Sequence, residues 1–183
     1  MKNEIICALK FDARAGSLSF KGVRYMLIRP ETVAALQIEM EKLNPRACAA
    51  ALYEAGRTGG YLSSKKYREV FNYTPAQTAR FMAKMGSQIG WGRFVIKKLD
   101  VKCGILIAEV INSPFAVAYK AMQSQQPRIR NPKSAIRNPQ SGVCHVIRGI
   151  FGGMAQALFE KPVKVVETKC LAKGDRLCRF ETR

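Results

Sequence analysis

The sequence predicts an α+β fold in which an antiparallel sheet packs against a helical layer. Strand-like and helix-like segments come in separate blocks rather than in strict alternation, which disfavours a doubly wound parallel sheet. The last two strand-like runs are joined by Ala172-Lys173-Gly174-Asp175-Arg176, whose Gly and Asp suit a hairpin turn. A hydrophobic content of 48% over 183 residues fits one domain with an ordinary core. The expected organisation is a single domain over 1–183, with an N-terminal strand region at about 1–29 and a mobile loop at about 124–141.

The elements follow from local signals. Glu4 to Leu9 and Ser17 to Arg29 are apolar and partly alternating, and an Ala-Gly turn signal separates them, which predicts two strands. Pro30-Glu31-Thr32 opens a helix, with Val33, Leu36, Met40 and Leu43 as its apolar face, and the pattern stops at Asn44-Pro45. An Ala-rich helix over Arg46 to Ala55 is expected to end at Gly56, with Gly59-Gly60 as further punctuation. Thr74 and Pro75 predict the cap and first turn of a helix reaching Ser87. Arg93 to Asp100 and Gly104 to Asn112 read as strands, and Ser113-Pro114 starts a short helix to Gln123. Val143 to Phe159 reads as a helix despite Gly149, Gly152 and Gly153, whose small size suggests close packing on the sheet. Lys164 to Leu171 and Leu177 to Thr182 complete the strands.

Several function classes are disfavoured. No apolar run approaches the length of about 18 residues needed to span a bilayer. The first twelve residues lack the apolar length and cleavage site of a secretory leader, so a cytoplasmic location is expected. The formal charge of +18 attracts anions without naming one. Lys120, Arg128, Arg130, Lys133, Arg137 and Arg148 have no acid among them, and Arg57 to Lys98 is interrupted only by Glu69. No recognition-helix, zinc-finger or aromatic RNA-binding signature accompanies this charge. It reads as a solvated basic surface plus one basic loop rather than a nucleic-acid footprint. That loop holds a tandem repeat, IRNPKSA at 129–135 and IRNPQSG at 136–142, whose prolines forbid a continuous helix. It reads as a passive insertion.

The cysteines carry the chemistry. In a cytoplasmic chain six of them suggest metal ligands or core residues rather than disulfides. Cys7, Cys48 and Cys103 are scattered among apolar neighbours and read as small buried hydrophobes. Cys144, Cys170 and Cys178 gather in the last forty residues with His145 and Glu167. Cys170 and Cys178 are symmetric about Gly174, so an ideal register sets them face to face across two strands. Cross-strand cysteines can reach the sulfur spacing of about 3.8 Å that a tetrahedral zinc requires. Glu167 lies an odd offset of three from Cys170, so it reaches the same face only through a β-bulge or bend. Cys144, at the start of the preceding helix, can return to the same end of the fold. Lys164, Lys169, Lys173, Arg176 and Arg179 surround these ligands in sequence and would offset their charge. Spacing alone leaves other outcomes open: free buried cysteines, a Cys170–Cys178 disulfide, or His145 in place of Glu167.

Taken together, Cys144-His145, Gly149, Gly152-Gly153, Glu167-x-x-Cys170, Gly174-Asp175 and Cys178-x-Phe180 resemble the C-terminal signature of the 4-vinyl reductase domain family. Tyr25 to Pro30, Ala55-Gly56-Arg57 and Asn112 to Ala116 fit its earlier parts, so the resemblance covers about 20–183 apart from the repeat loop. The family includes sensor domains of phenol-responsive transcription activators, a protein linked to bacteriochlorophyll vinyl reduction, and stand-alone proteins. Its fold is similar to that of transport-particle tethering subunits and, more distantly, of haem nitric-oxide sensors. The resemblance implies zinc held by Cys144, Glu167, Cys170 and Cys178, a homodimer, and an apolar pocket near the metal. Trp91, Phe94, Phe115 and Tyr119 are candidate pocket residues by aromatic character.

The expected function is therefore a sensor module that binds a small apolar or aromatic molecule, with zinc in a structural role and no catalytic residues. A regulatory protein partner is compatible with that role, but the chain shows no ATPase or DNA-binding domain and is not expected to be a complete regulator. The alternatives are an enzyme or subunit for vinyl reduction of a (bacterio)chlorophyll-type tetrapyrrole, or an assembly scaffold. Reduction needs a hydride or electron source. Gly86-x-x-x-Gly90-x-Gly92 has the wrong spacing for a dinucleotide site, and Gly149-x-x-Gly152-Gly153 begins inside a helix.

Overall fold

The computed structural model describes residues 3–125 and 142–183. The element order is α1 (Glu4–Ala8), β1 (Lys10–Asp12), β2 (Ser17–Phe20), β3 (Val23–Tyr25), α2 (Pro30–Leu43), α3 (Pro45–Phe71), α4 (Pro75–Gln88), β4 (Arg93–Asp100), β5 (Ile105–Ile111), α5 (Pro114–Gln125), α6 (His145–Phe159), β6 (Val165–Lys169) and β7 (Cys178–Thr182). Four consecutive helices, α2 to α5, begin on proline, whose fixed φ suits the first turn and whose missing N–H is no loss there. Asn44 caps α3 by accepting from the N–H groups of Arg46 and Ala47. Thr74 and Gln77 form a reciprocal capping box at α4. The repeat read as a loop at about 124–141 lies outside the described residues from 126 onward, and α5 continues to Gln125.

The α+β expectation holds. β4 to β7 form one antiparallel sheet in the order β4-β5-β7-β6, and β1 to β3 form a separate small antiparallel sheet. One face of the large sheet packs on α6 through Phe94, Leu106, Ala108, Val110 and Phe180, which meet Ile147, Phe151, Met154 and Leu158. Phe151 lies between two sheet rings, 5.4 Å from Phe94 and 5.2 Å from Phe180 by centroid.

The longest departure from expectation is α3, which runs unbroken through Gly56, Gly59 and Gly60. The reason is its partner. A methyl group at Gly56 or Gly60 would overlap the backbone of Val146 or Ile150, and one at Gly149 or Gly153 would overlap that of Tyr53 or Arg57. The glycines of α6 therefore face α3, not the sheet, and let two helix backbones approach closely. Each glycine costs helix propensity, roughly 1 kcal/mol against alanine; the gain is a tight interface. Arg57 Nη1 also donates to Gln156 Oε1 at 2.8 Å across it.

Three further corrections concern the N-terminal half and the scattered cysteines. Glu4–Ala8 is a helix rather than a strand, because Asn3 caps it and Gln88 accepts from Ile5 N at 2.9 Å, leaving Ile5 as its one buried residue. The strand expected over Ser17 to Arg29 is broken by Lys21 and Gly22, both at positive φ as a two-residue hairpin turn demands. On α2 the buried residues are Ala34, Gln37 and Ile38, whereas Leu36 and Leu43 are 56% and 88% exposed. That helix turns its small residues toward Ala118 and Tyr119 of α5. Of the scattered cysteines only Cys48 is buried; Cys7 and Cys103 are exposed, since each sits at or beside a surface turn.

Candidate metal centre

The site forms where three chain segments end: the N-terminus of α6, the bulged end of β6 and the start of β7. Cys144 is the N-cap of α6. The β6–β7 pairing shifts register between Glu167 and Lys169, and this bulge is the correction that the odd Glu167–Cys170 offset requires. Lys169 then pairs with Arg179, a register that sets Cys170 opposite Cys178 when continued by one residue. Between them the chain makes a one-turn 3-10 helix, Leu171–Lys173, and Gly174 adopts φ of +101°. Asp175 locks this loop by accepting from Cys170 N at 2.7 Å. Leu171 N donates to Cys178 Sγ at 3.4 Å.

One ligand atom from each of Cys144, Glu167, Cys170 and Cys178 lies within 4.8 Å of the others, and all four residues are buried. The sulfurs of Cys144 and Cys178 are 3.6 Å apart. Glu167 Oε2 accepts from Cys144 N at 3.0 Å, while its Oε1 is buried with no hydrogen-bond partner among the described residues. A buried carboxylate oxygen without a donor is costly, and a cation at the centre of this set would satisfy it. Three sulfurs and one oxygen at this spacing fit a divalent metal of intermediate softness. Such a closed donor set supplies cross-linking of α6 to the β6–β7 hairpin, with no position left for substrate or water.

The electrostatics point the same way. Hydrogen bonds from the Cys144 and Cys178 sulfurs pull the Cys170 thiol strongly down. Those bonds, to Cys170 first, push Cys144 well up. At Cys178 the bond with Cys144 acts downward, but the bond to Cys170 and burial prevail and raise it. Burial pushes the Glu167 carboxyl up to about 8, and the charge on Cys170 adds to this. So many anions cannot share one buried space without a positive centre among them, and a metal ion supplies one. His145 is buried beside the set but is not one of the four; burial lowers its imidazole to about 4, helped by the charge of Arg148.

The basic residues expected to offset the charge are elsewhere. Arg179 is held by Glu109 at 2.9 Å and Glu181 at 2.6 Å on the outer face of the sheet. Lys164, Lys169, Lys173 and Arg176 are on the surface. Ser113 and Gly142 were legible only in part. Ser113 reads as a helix cap, yet its Oγ also lies 3.5 Å from Cys144 Sγ. A methyl group at Gly142 would overlap the Glu167 carboxylate. The repeat carries a signal for it: Ala135 in the first copy becomes Gly142 in the second.

The four aromatic candidates do not converge on one cavity. Trp91 and Phe115 pack edge to face at 5.0 Å. Phe94 is part of the sheet–α6 core, and Tyr119 packs with Ala34 and Ile38. A surface cleft of about 580 Å³ runs beside them, lined by Gly90, Gly92, Pro114, Val117, Ala118 and Met122 among others.

Comparison with known proteins agrees with this geometry. Residues 134–183 match the family model of the vinyl-4-reductase (V-4-R) domain, the stretch that holds all four clustered ligands. The resemblance read from the C-terminal motifs is thus borne out. In fold, the chain is similar to the phenol-responsive sensory domain of the transcription activator PoxR, solved with phenol: TM-score 0.79 at 16% identity, covering 97% of this chain and 85% of that one. A vinyl-4-reductase family protein from Methanocaldococcus jannaschii gives a TM-score of 0.45 at 19% identity, covering 72% of this chain and 66% of that one. Trafficking protein particle complex subunit 3 from Naegleria fowleri, covalently bound to palmitic acid, gives 0.49 at 12% identity, covering 84% and 93%. No curated protein matches by sequence. Among the described residues no helix is long and apolar enough to cross a membrane.

Proposed function

We propose that this chain is a sensor domain that binds a small apolar or aromatic molecule, with a structural zinc ion held by Cys144, Glu167, Cys170 and Cys178. The observation that carries the reading is the buried set of three sulfurs and one carboxylate on a fold shared with a phenol-responsive sensory domain. Zinc suits the donors, because it accepts thiolate and carboxylate ligands in tetrahedral geometry and needs no redox partner. Its task is to hold α6 against the hairpin, so that recognition rather than metal chemistry is the function. The ligand is received near Trp91 and Phe115, with Phe94 and Tyr119 as the further aromatic candidates, and enters by the cleft that Gly90, Gly92, Pro114 and Val117 line.

The same reading makes the chain a homodimer. Met26, Leu27, Leu36 and Leu43 are large apolar side chains left on the surface between β3 and the end of α2, and a partner copy would cover them. All six cysteines are free, which suits the reducing cytoplasm. A regulatory protein would read the ligand-bound state. Native mass spectrometry of the purified protein tests the set together: the expected mass is a dimer carrying one zinc per chain. A panel of phenols is expected to raise Tm by mass action. Absence of metal from freshly purified protein would overturn the zinc assignment, and a Tm indifferent to every phenol and small hydrocarbon would overturn the sensor role.

A further inference from the structure

We propose that Arg148 is the charge-compensating residue of this metal centre, the side chain that allows three thiolates and a carboxylate to stay buried around a divalent cation. The inference rests on the reading of those four side chains as zinc ligands. Three thiolates and one carboxylate carry four negative charges, so a divalent ion leaves an excess of two in a buried place. A buried charge of that size is costly unless an opposite charge lies close.

Arg148 is placed to supply it. Its N–H donates to the Cys144 carbonyl at 2.8 Å, so the two residues stack one turn apart on α6. Helical side chains lean toward the N-terminus, which carries the Arg148 side chain back over the Cys144 turn. The guanidinium rests on the face of Tyr53, 4.9 Å from the ring centroid. Tyr53 is itself seated firmly: its hydroxyl accepts from Val165 N at 3.4 Å, and Gly149 and Gly152 leave room for it on α6. Arg148 Nε is buried and has no hydrogen-bond partner among the described residues, and the same holds for Glu167 Oε1. The charges of the two side chains act on each other: burial lowers the Arg148 pKa, and the Glu167 carboxylate opposes that shift. The glycines of α6, the Tyr53 ring and the guanidinium therefore form one stack, which sets a fixed positive charge beside the ligands. This links the close α3–α6 approach to the chemistry of the site.

The test uses the full chain loaded with zinc, and a second sample loaded with cobalt(II). Arg148→Gln is expected to release zinc to a chromogenic chelator roughly 10–100-fold faster than the wild type, the range usual for residues that support metal ligands. In the cobalt form it should shift the thiolate-to-metal charge-transfer band. Arg148→Lys keeps the charge and is expected to restore most of both readouts. Tyr53→Leu removes the ring and should give an intermediate release rate. Arg148→Gln with wild-type release and a wild-type band would overturn the proposal. So would equal impairment of the Gln and Lys variants, which would mean packing rather than charge. Should Arg148→Gln fail to fold, a wild-type-like Arg148→Lys supports the charge role and an impaired one overturns it. A wild-type protein that loads neither zinc nor cobalt overturns the ligand reading itself, and this proposal with it.

Discussion

The C-terminal unit of α6, β6 and β7 and the N-terminal unit of α1 and β1–β3 both lean on the same helical layer, but by different means. The C-terminal unit is held by groups that tolerate no replacement: four buried candidate ligand residues, a positive-φ glycine in the hairpin and glycines at a helix crossing. The N-terminal unit is held by a small aromatic cluster in which Phe20 and Tyr67 meet Phe81, with Ile5 and Met85 beside them. Its one buried polar link among the described residues is the hydroxyl pair of Tyr25 and Tyr67, from which Tyr25 also donates to Met85 Sδ at 3.2 Å. The difference is one of specification. Coordination and close backbone approach demand particular residues, whereas apolar packing accepts many.

Four substitutions sharpen that contrast, beginning with the largest effect. Cys178→Ala is expected to abolish zinc binding and lower Tm by roughly 10 °C or more, at about 2–4 °C per kcal/mol for a chain of this length; elemental analysis and calorimetry check it. Retention of wild-type metal content would break the assignment. Gly153→Ala forces a methyl group against the Arg57 carbonyl and should cost about 1–3 kcal/mol in urea unfolding. Gly142→Ala crowds the Glu167 carboxylate; chelator competition should show zinc affinity about tenfold weaker, with a smaller change in Tm. Tyr67→Phe removes the hydroxyl pair and should cost about 1 kcal/mol, with zinc content unchanged. A Tyr67→Phe protein that loses metal would show that the two units are one cooperative structure and not separately held.

The same contrast explains what could be read in advance. Cys170 and Cys178 are symmetric about a glycine, and a hairpin turns that symmetry into proximity without help from the rest of the fold. Even the β6 bulge was implied, because period-two strand geometry forbids Glu167 and Cys170 from sharing a face otherwise. Caps at Asn44 and Thr74 are local signals and held for the same reason. Glu4 to Ala8 misled because five residues suit either element, and its docking on Gln88 decided for a helix. Arg148 stayed hidden for a different reason. With 31 lysines and arginines in the chain, sequence proximity pointed to Arg179, which faces outward to Glu109 instead.

From the linear order of residues alone came the α+β class, the helix starts, the hairpin and the four candidate metal ligands. These depend on φ preferences, side-chain period and donor chemistry, all of which act over a few residues. Tertiary structure alone decided that Gly56, Gly60, Gly149 and Gly153 meet each other's helices, that Leu36 and Leu43 face outward, and that Arg148 lies over the Cys144 turn. Each of those depends on which surfaces pack together, and packing is settled by the summed burial of many side chains rather than by any one of them.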